Sequence, residues 1–157
     1  YPDAERIARL DTAITWLDQH LGEDTPQVRW QTLGPLIAHD RLNAAYGYLA
    51  EALFALNRSW RPWRNREIDA LLRLDWLPAT FEERVLLAAC PPSLDRAGYN
   101  ARVVALRSLM ADIIAYCCVE GLYGEDPIGE AFIRSHDEPG RSWTMGEWNR
   151  QHRQRYG

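Results

Sequence analysis

The sequence predicts an all-α protein: an up-and-down bundle of four to six helices with a partly irregular C-terminal tail. Three segments carry apolar residues at steps of three and four, the spacing that places them on one face of a helix. Strand-like alternation is scarce, and apolar seams with this spacing are typical of helix bundles. The 157 residues suffice for one domain with a substantial core. We therefore expect a helical bundle over residues 1–125 and, over residues 126–157, an extension with short helices that packs on the bundle or on a partner.

The first two apolar segments predict long helices. The first segment ends at Gly22, a natural helix stop, and its apolar face consists of Ile7, Leu10, Ile14, Leu17 and Leu21. Thr25 and Pro26 suit the N-cap and first turn of the second segment, and Gly34-Pro35 predicts a break within it. After this break, the apolar face consists of Leu42, Tyr46, Leu49, Leu53 and Leu56.

Shorter helices are expected between the second and third long segments. Residues 65–75 form one of them, and Thr80 with Glu83 makes a capping-box pattern that starts another, which ends before Cys90. The third long segment ends near Gly121, and its apolar face consists of Val103, Leu106, Met110, Ile113 and Cys117. These pieces complete the predicted bundle.

The sequence changes in character after Gly124. Asp126 and Pro127 predict the start of a short helix that runs to about Arg134, and "SHDEPGRSW" reads as a loop. Thr144 and Glu147 make a second capping-box pattern, which predicts a final polar helix.

The composition restricts the possible functions. The net charge of −4 and the pI of about 5.6 argue against general nucleic-acid binding, and no apolar run approaches the roughly 20 residues of a membrane helix. All 18 basic residues are arginine, which excludes lysine nucleophiles and Schiff bases. The chain has an odd number of cysteines, and two of the three are adjacent, which does not make a disulfide framework. They are Cys90, Cys117 and Cys118. We therefore expect a reducing, cytoplasmic location.

No catalytic or metal-binding residues are predicted. The four histidines lack metal-ligand spacing, no Cys-x-x-Cys pair occurs, and nucleotide-binding glycine motifs and the nucleophile elbow are missing from the sequence. "SHDE" at residues 135–138 gathers reactive groups, but catalytic triads assemble across a fold rather than from neighbours in sequence. Glu51 lies between the apolar positions Leu49 and Leu53 of the second segment, so it should border the core. It is either a solvent-exposed residue at the edge of the apolar face or a carboxylate in a cleft.

The densest chemical signal is "LNRSWRPWRNRE", residues 56–67. Arginine side chains bind phosphate in bidentate fashion and stack on indole rings, so the stretch suits a grip on an anionic ligand. The structural interpretation is equally physical, because cations favour a helix C-terminus and tryptophans fill a corner between helices. Composition alone leaves both interpretations open.

The segment "ALFALNRSWRPWRNREIDALLRLDWLP", residues 52–78, resembles the helical domains that follow nucleotidyltransferase-fold domains in bacterial proteins. "EGLYGEDPIGEAFIRSHDEPGR", residues 120–141, is similar to the end of such proteins. The resemblance implies a substrate-binding-type bundle that closes the cleft of a separate catalytic domain. The Gly-Ser and Asp-x-Asp motifs of the catalytic domain do not occur in this sequence.

The resemblance thus implies a noncatalytic domain whose catalytic partner lies upstream or in a separate chain, which agrees with a start that lacks Met. It assigns nucleotide or substrate binding to Arg58, Trp60, Arg61, Trp63 and Arg64, with Glu51 as a candidate carboxylate. No cofactor is expected in this chain, and Mg²⁺ and a nucleoside triphosphate are implied only together with the partner domain. The alternative is a helical interaction module, such as a homodimer, because the chain has seven tryptophans. A third possibility is an independent enzyme with a site assembled across helices.

Overall fold

The computed structural model describes residues 1–137 and contains seven α-helices in that range. In chain order they are α1 (Asp3–Leu21), α2 (Thr25–Leu33), α3 (Pro35–Leu56), α4 (Arg64–Leu72), α5 (Phe81–Ala89), α6 (Arg96–Val119) and α7 (Pro127–His136). Residues 1–137 contain no strand, which confirms the predicted all-α bundle. None of the described helices is both long and apolar enough to cross a membrane.

Six of the described helices, α1–α6, lie within residues 1–125 as predicted for the bundle, and the predicted break at Gly34-Pro35 separates α2 from α3. Gly34 has φ +83° and ψ 171°, a conformation that glycine adopts without steric cost. Pro35 then occupies the first helical position of α3, where its missing N–H is not needed. The α2 helix is therefore a separate element that packs against α1 and α3, and among its residues only Pro26 is buried.

The core forms between α1, α3 and α6, with α5 packed on α6. The predicted apolar faces are confirmed: Leu10, Ile14 and Leu17 have no exposed surface, and neither do Leu49 and Leu53. Two positions depart from the pattern: Ile7 and Tyr46 are only half-buried, and Arg6, the neighbour of Ile7, is buried. The guanidinium of Arg6 donates to the carbonyl of Leu56 at 2.9 Å. This hydrogen bond gives a partner to one of the carbonyls that the C-terminal end of α3 leaves without an acceptor role inside the helix.

Two helix starts differ from the sequence predictions. The α5 helix begins at Phe81 as expected, but Thr80 has φ +51° and makes no side-chain capping bond in the described structure, so the predicted capping box does not form. The α4 helix spans Arg64–Leu72 instead of residues 65–75. By contrast, Asp95 caps α6 by accepting a hydrogen bond from the backbone N–H of Gly98 at 3.0 Å.

The α7 helix packs on α1 through a buried polar cluster. The carboxylate of Asp11, which is 3% exposed, accepts two hydrogen bonds from Arg134 at 2.8 and 2.9 Å and a third from the hydroxyl of Tyr123 at 2.8 Å. The Arg134 guanidinium also lies 4.9 Å from the centre of the Tyr123 ring. The helix predicted to start at Thr144 lies outside the described residues.

Candidate functional site

An open cleft of about 530 Å³ lies between α3 and the start of α4. Its volume falls within the range of small-molecule sites. Polar side chains from one face of α3 line one wall, and the α3–α4 connection with the first turns of α4 lines the other. The main lining residues are Asp40, Asn43, Tyr46, Gly47, Arg61 and Arg64.

The side chain of Arg61 spans the cleft and is held by hydrogen bonds to both walls. Its Nε donates to the carboxylate of Glu67 at 2.7 Å, and its Nη1 donates to the backbone carbonyl of Gly47 at 2.9 Å. Glu67 is only 4% exposed, so this ion pair is held largely away from water. Because its donors are engaged within the fold, Arg61 positions the cleft wall and is poorly suited to be the main grip on a ligand.

Beyond Arg61, a second hollow of about 300 Å³ continues along α3 towards Tyr48 and Glu51. The carboxylate of Glu51 accepts a hydrogen bond from Arg9, and its other oxygen lies 3.8 Å from Nη1 of Arg61. The predicted carboxylate in a cleft is therefore present, but it is bound between two arginines. Both oxygens of the Glu51 carboxylate therefore face a guanidinium group.

Arg58 and Trp60 face away from the cleft, towards the start of α1. Arg58 adopts φ +53° directly after α3, and the Ser59 N–H donates to the carbonyl of Phe54 at 2.9 Å, which closes the helix end in the manner usually served by glycine. This turn directs the Arg58 guanidinium to Asp3, at 2.6 Å. The ring of Trp60 packs on that of Tyr1, with centroids 4.6 Å apart.

Trp63 and Arg64 are the predicted residues with the most freedom to meet a ligand. Trp63 is 87% exposed and precedes α4, and Arg64 is an exposed first residue of α4 that lines the cleft. Within residues 1–137, Arg64 has no ion-pair or hydrogen-bond partner for its side chain. The structure thus brings Arg61, Trp63 and Arg64 to the same end of α4, and it separates Arg58 and Trp60 from them.

Two polar groups in the cleft wall were missed by sequence reasoning. Arg102, which is 3% exposed, donates from Nη2 to Oδ1 of Asn43 at 2.7 Å, and this leaves the amide NH₂ of Asn43 as a donor. The hydroxyl of Tyr46 is buried and has no hydrogen-bond partner in the described structure. Burial and the Glu67 carboxylate raise the pKa of Tyr46, so the hydroxyl keeps its proton. The spacing of Asp40, Asn43 and Gly47 on one helix face was the available signal, because it interrupts the apolar seam with a polar stripe.

Comparison with protein-family models, with curated proteins and with solved structures gives no significant match. No family is established. The function is therefore argued from the geometry of the chain itself.

The charges of the cleft are balanced, since Arg61 and Arg64 face Asp40 and Glu67. Within residues 1–137, no group of three or more His, Cys, Asp or Glu side chains is arranged to hold a metal ion. The arrangement offers hydrogen bonding, one unpaired guanidinium and an exposed indole. Groups of these kinds are suited to binding and orienting a ligand.

Proposed function

We propose that the chain is a noncatalytic helical domain that binds a nucleotide or its acceptor substrate in the α3–α4 cleft for a nucleotidyltransferase-like catalytic partner in the cytoplasm. The observation that supports this function best is that Arg64, which lines the cleft, directly follows the exposed Trp63. An unpaired guanidinium binds phosphate oxygens, and an exposed indole stacks on a base or sugar. The resemblance of residues 52–78 gives the same assignment.

Each group in the cleft has a distinct role in this proposal. Arg64 contacts a phosphate, Trp63 packs on the base, and the amide of Asn43 donates to a carbonyl or ring nitrogen of the ligand. Arg61 holds the wall in place through Glu67. The metal and the remaining phosphates of the triphosphate are assigned to the partner, because residues 1–137 lack a suitable carboxylate set, and we derive no step of the transfer reaction through them.

Titration of the ¹⁵N-labelled chain with ATP, followed by NMR, tests the proposal. We expect saturable shifts in the amides of α3 and the start of α4, and the Arg64→Ala and Trp63→Ala variants should each weaken binding about tenfold. Arg66→Ala is the matched control, because Arg66 is also an exposed arginine in the first turn of α4 but does not line the cleft. Equal affinities of the Arg64→Ala and Arg66→Ala variants would refute the assignment.

A second candidate function is protein interaction through the groove between α5 and α6. This groove is lined mainly by apolar groups, and the nearby Leu87 and Val104 are 45% and 67% exposed. Exposed apolar side chains that lie together mark interaction surfaces in soluble proteins. Light scattering tests this alternative: a dimer that Val104→Glu converts to a monomer would favour it, and a monomeric wild-type chain at high micromolar concentration would oppose it.

A further inference from the structure

A cluster of aromatic and cationic side chains lies where α1, α2 and α3 meet, and its Tyr48 also borders the hollow that continues from the cleft. The rings of Trp16 and Tyr48 stack with centroids 5.9 Å apart and an interplanar angle of 11°. The ring of His20 lies 6.1 Å from Trp16 and 6.0 Å from Tyr48. Trp16 remains 45% exposed, so this aromatic group is accessible from solvent.

Arg29 of α2 adds a cation to the cluster. Its Nη1 lies 2.7 Å from Nδ1 of His20, and because a guanidinium only donates, the histidine nitrogen must accept. His20 is therefore neutral and carries its proton on Nε2. Burial, together with the charges of Arg29 and Arg41, lowers the pKa of His20 to about 4. The histidine thus does not repel or neutralise its cationic neighbour at neutral pH.

Arg41 supplies a second cation on the same side. It is exposed and lies two helical turns before Tyr48 on the same face of α3. It is close enough to lower the pKa of both His20 and Arg29. In the part of the chain that the structure describes, neither Arg29 nor Arg41 is paired with a carboxylate.

Half of the twelve other arginines in residues 1–137 are balanced by an acid. Each of the following pairs with Asp or Glu: Arg9, Arg58, Arg61, Arg73, Arg84 and Arg134. In a chain with a net charge of −4, two neighbouring arginines without an acid therefore concentrate positive potential at one place. Holding two like charges together has a cost that an anionic ligand removes.

We propose that Arg29 and Arg41 form a binding site for the phosphoryl group of a small organic phosphate, with the Trp16–Tyr48 pair contacting its organic part. The site is separate from the α3–α4 cleft and goes beyond the function proposed for that cleft. Paired guanidinium groups suit the tetrahedral oxyanion, and neutral His20 fixes the orientation of Arg29. The stacked rings offer an apolar and aromatic surface beside the charge.

Inorganic phosphate and AMP are the two probes, because they separate the oxyanion from the organic part. Binding is followed by the rise in melting temperature and by Trp fluorescence at matched ionic strength, so that general salt effects cancel. We expect both probes to bind saturably and AMP to bind more tightly. Equal affinities would assign the site to the phosphoryl group alone.

Three variants decide the assignment. Arg41→Ala should weaken binding of both probes about tenfold or more, and the fold should persist because the Arg41 side chain has no partner in residues 1–137. Arg96→Ala is the matched control, since Arg96 is an exposed arginine at the start of α6 and is likewise without a described partner. The titrations are carried out in the Arg64→Ala background, which removes the phosphate contact proposed for the cleft, so that the remaining binding reports this site. Unchanged binding in Arg41→Ala, or loss in Arg64→Ala alone, would overturn the proposal.

Discussion

Replacing Asp11 with alanine should destabilise the protein by about 2–4 kcal/mol. The carboxylate accepts hydrogen bonds from Tyr123 and Arg134. The free-energy cost of losing the carboxylate differs between these two donors because their exposure differs. Tyr123 is 6% exposed, so its hydroxyl would be left buried without an acceptor, at a cost of about 1–3 kcal/mol. Arg134 is 41% exposed and can turn into water, so the lost ion pair adds only about 1 kcal/mol.

Urea unfolding measures this loss, and hydrogen exchange locates it. Because Asp11 joins α1 to α7, the amides of α7 should exchange much faster in the variant while those of α3 change less. Asp112→Ala is the matched control: Asp112 also accepts from an arginine of another helix, Arg84, at 2.6 Å, but its side chain is 46% exposed. Its removal should cost about 1 kcal/mol or less. If the two variants lose equal stability, or if α7 keeps its protection, the reasoning about burial is wrong.

Two further predictions concern α1 and α3. The pKa of His20 is about 4 in the folded chain against 6.5 for the free side chain, so the unfolded chain takes up a proton between these values that the folded chain does not. Stability should therefore decrease as the pH falls from 6.5 to 4, by up to about 3 kcal/mol, and urea unfolding across this range should show a shallower pH dependence in His20→Gln. Gly47→Ala should stabilise the chain by about 0.5–1 kcal/mol, because an added Cβ would meet no described atom closer than 4.0 Å and alanine favours a helix. The same methyl group would enter the cleft, so ATP affinity should fall while the melting temperature rises; a lower melting temperature would show that the helix needs glycine there.

The helices could be predicted from sequence because their signals are local. The apolar face of the first segment depends only on spacing, and the break at Gly34-Pro35 depends only on two neighbouring residues. The capping box at Thr80 failed although its pattern is also local, because the backbone at Thr80 enters the left-handed region and turns the side chain away from the helix start. Local patterns therefore give where a helix lies more reliably than how its end is closed.

The candidate sites could be predicted only in part, because their partners come from distant parts of the chain. Residues 56–67 were expected to act together, yet Arg58 pairs with Asp3 whereas Arg61 pairs with Glu67, and the turn at Arg58 decides this division. The spacing of Trp16 and His20 was visible in the sequence, since residues four apart share a helix face. Their meeting with Arg29 depends on the packing of α2 against α1 and α3, which no periodicity encodes.

The absence of lysine from the sequence has a structural consequence at Arg6 and Arg102. Both are more than nine-tenths buried, and in residues 1–137 neither pairs with a carboxylate. A buried lysine in such surroundings readily loses its proton, whereas a guanidinium keeps its charge and spreads its donors over several acceptors. Arg102 uses this geometry fully, because it reaches the carbonyl of Ala88, the side chain of Asn43 and both the ring and the carbonyl of His39. A single ammonium with three donors on one nitrogen cannot match the planar spread of these contacts, so Arg102 joins α6 to both α3 and α5 and holds the side chain of Asn43 in the cleft wall.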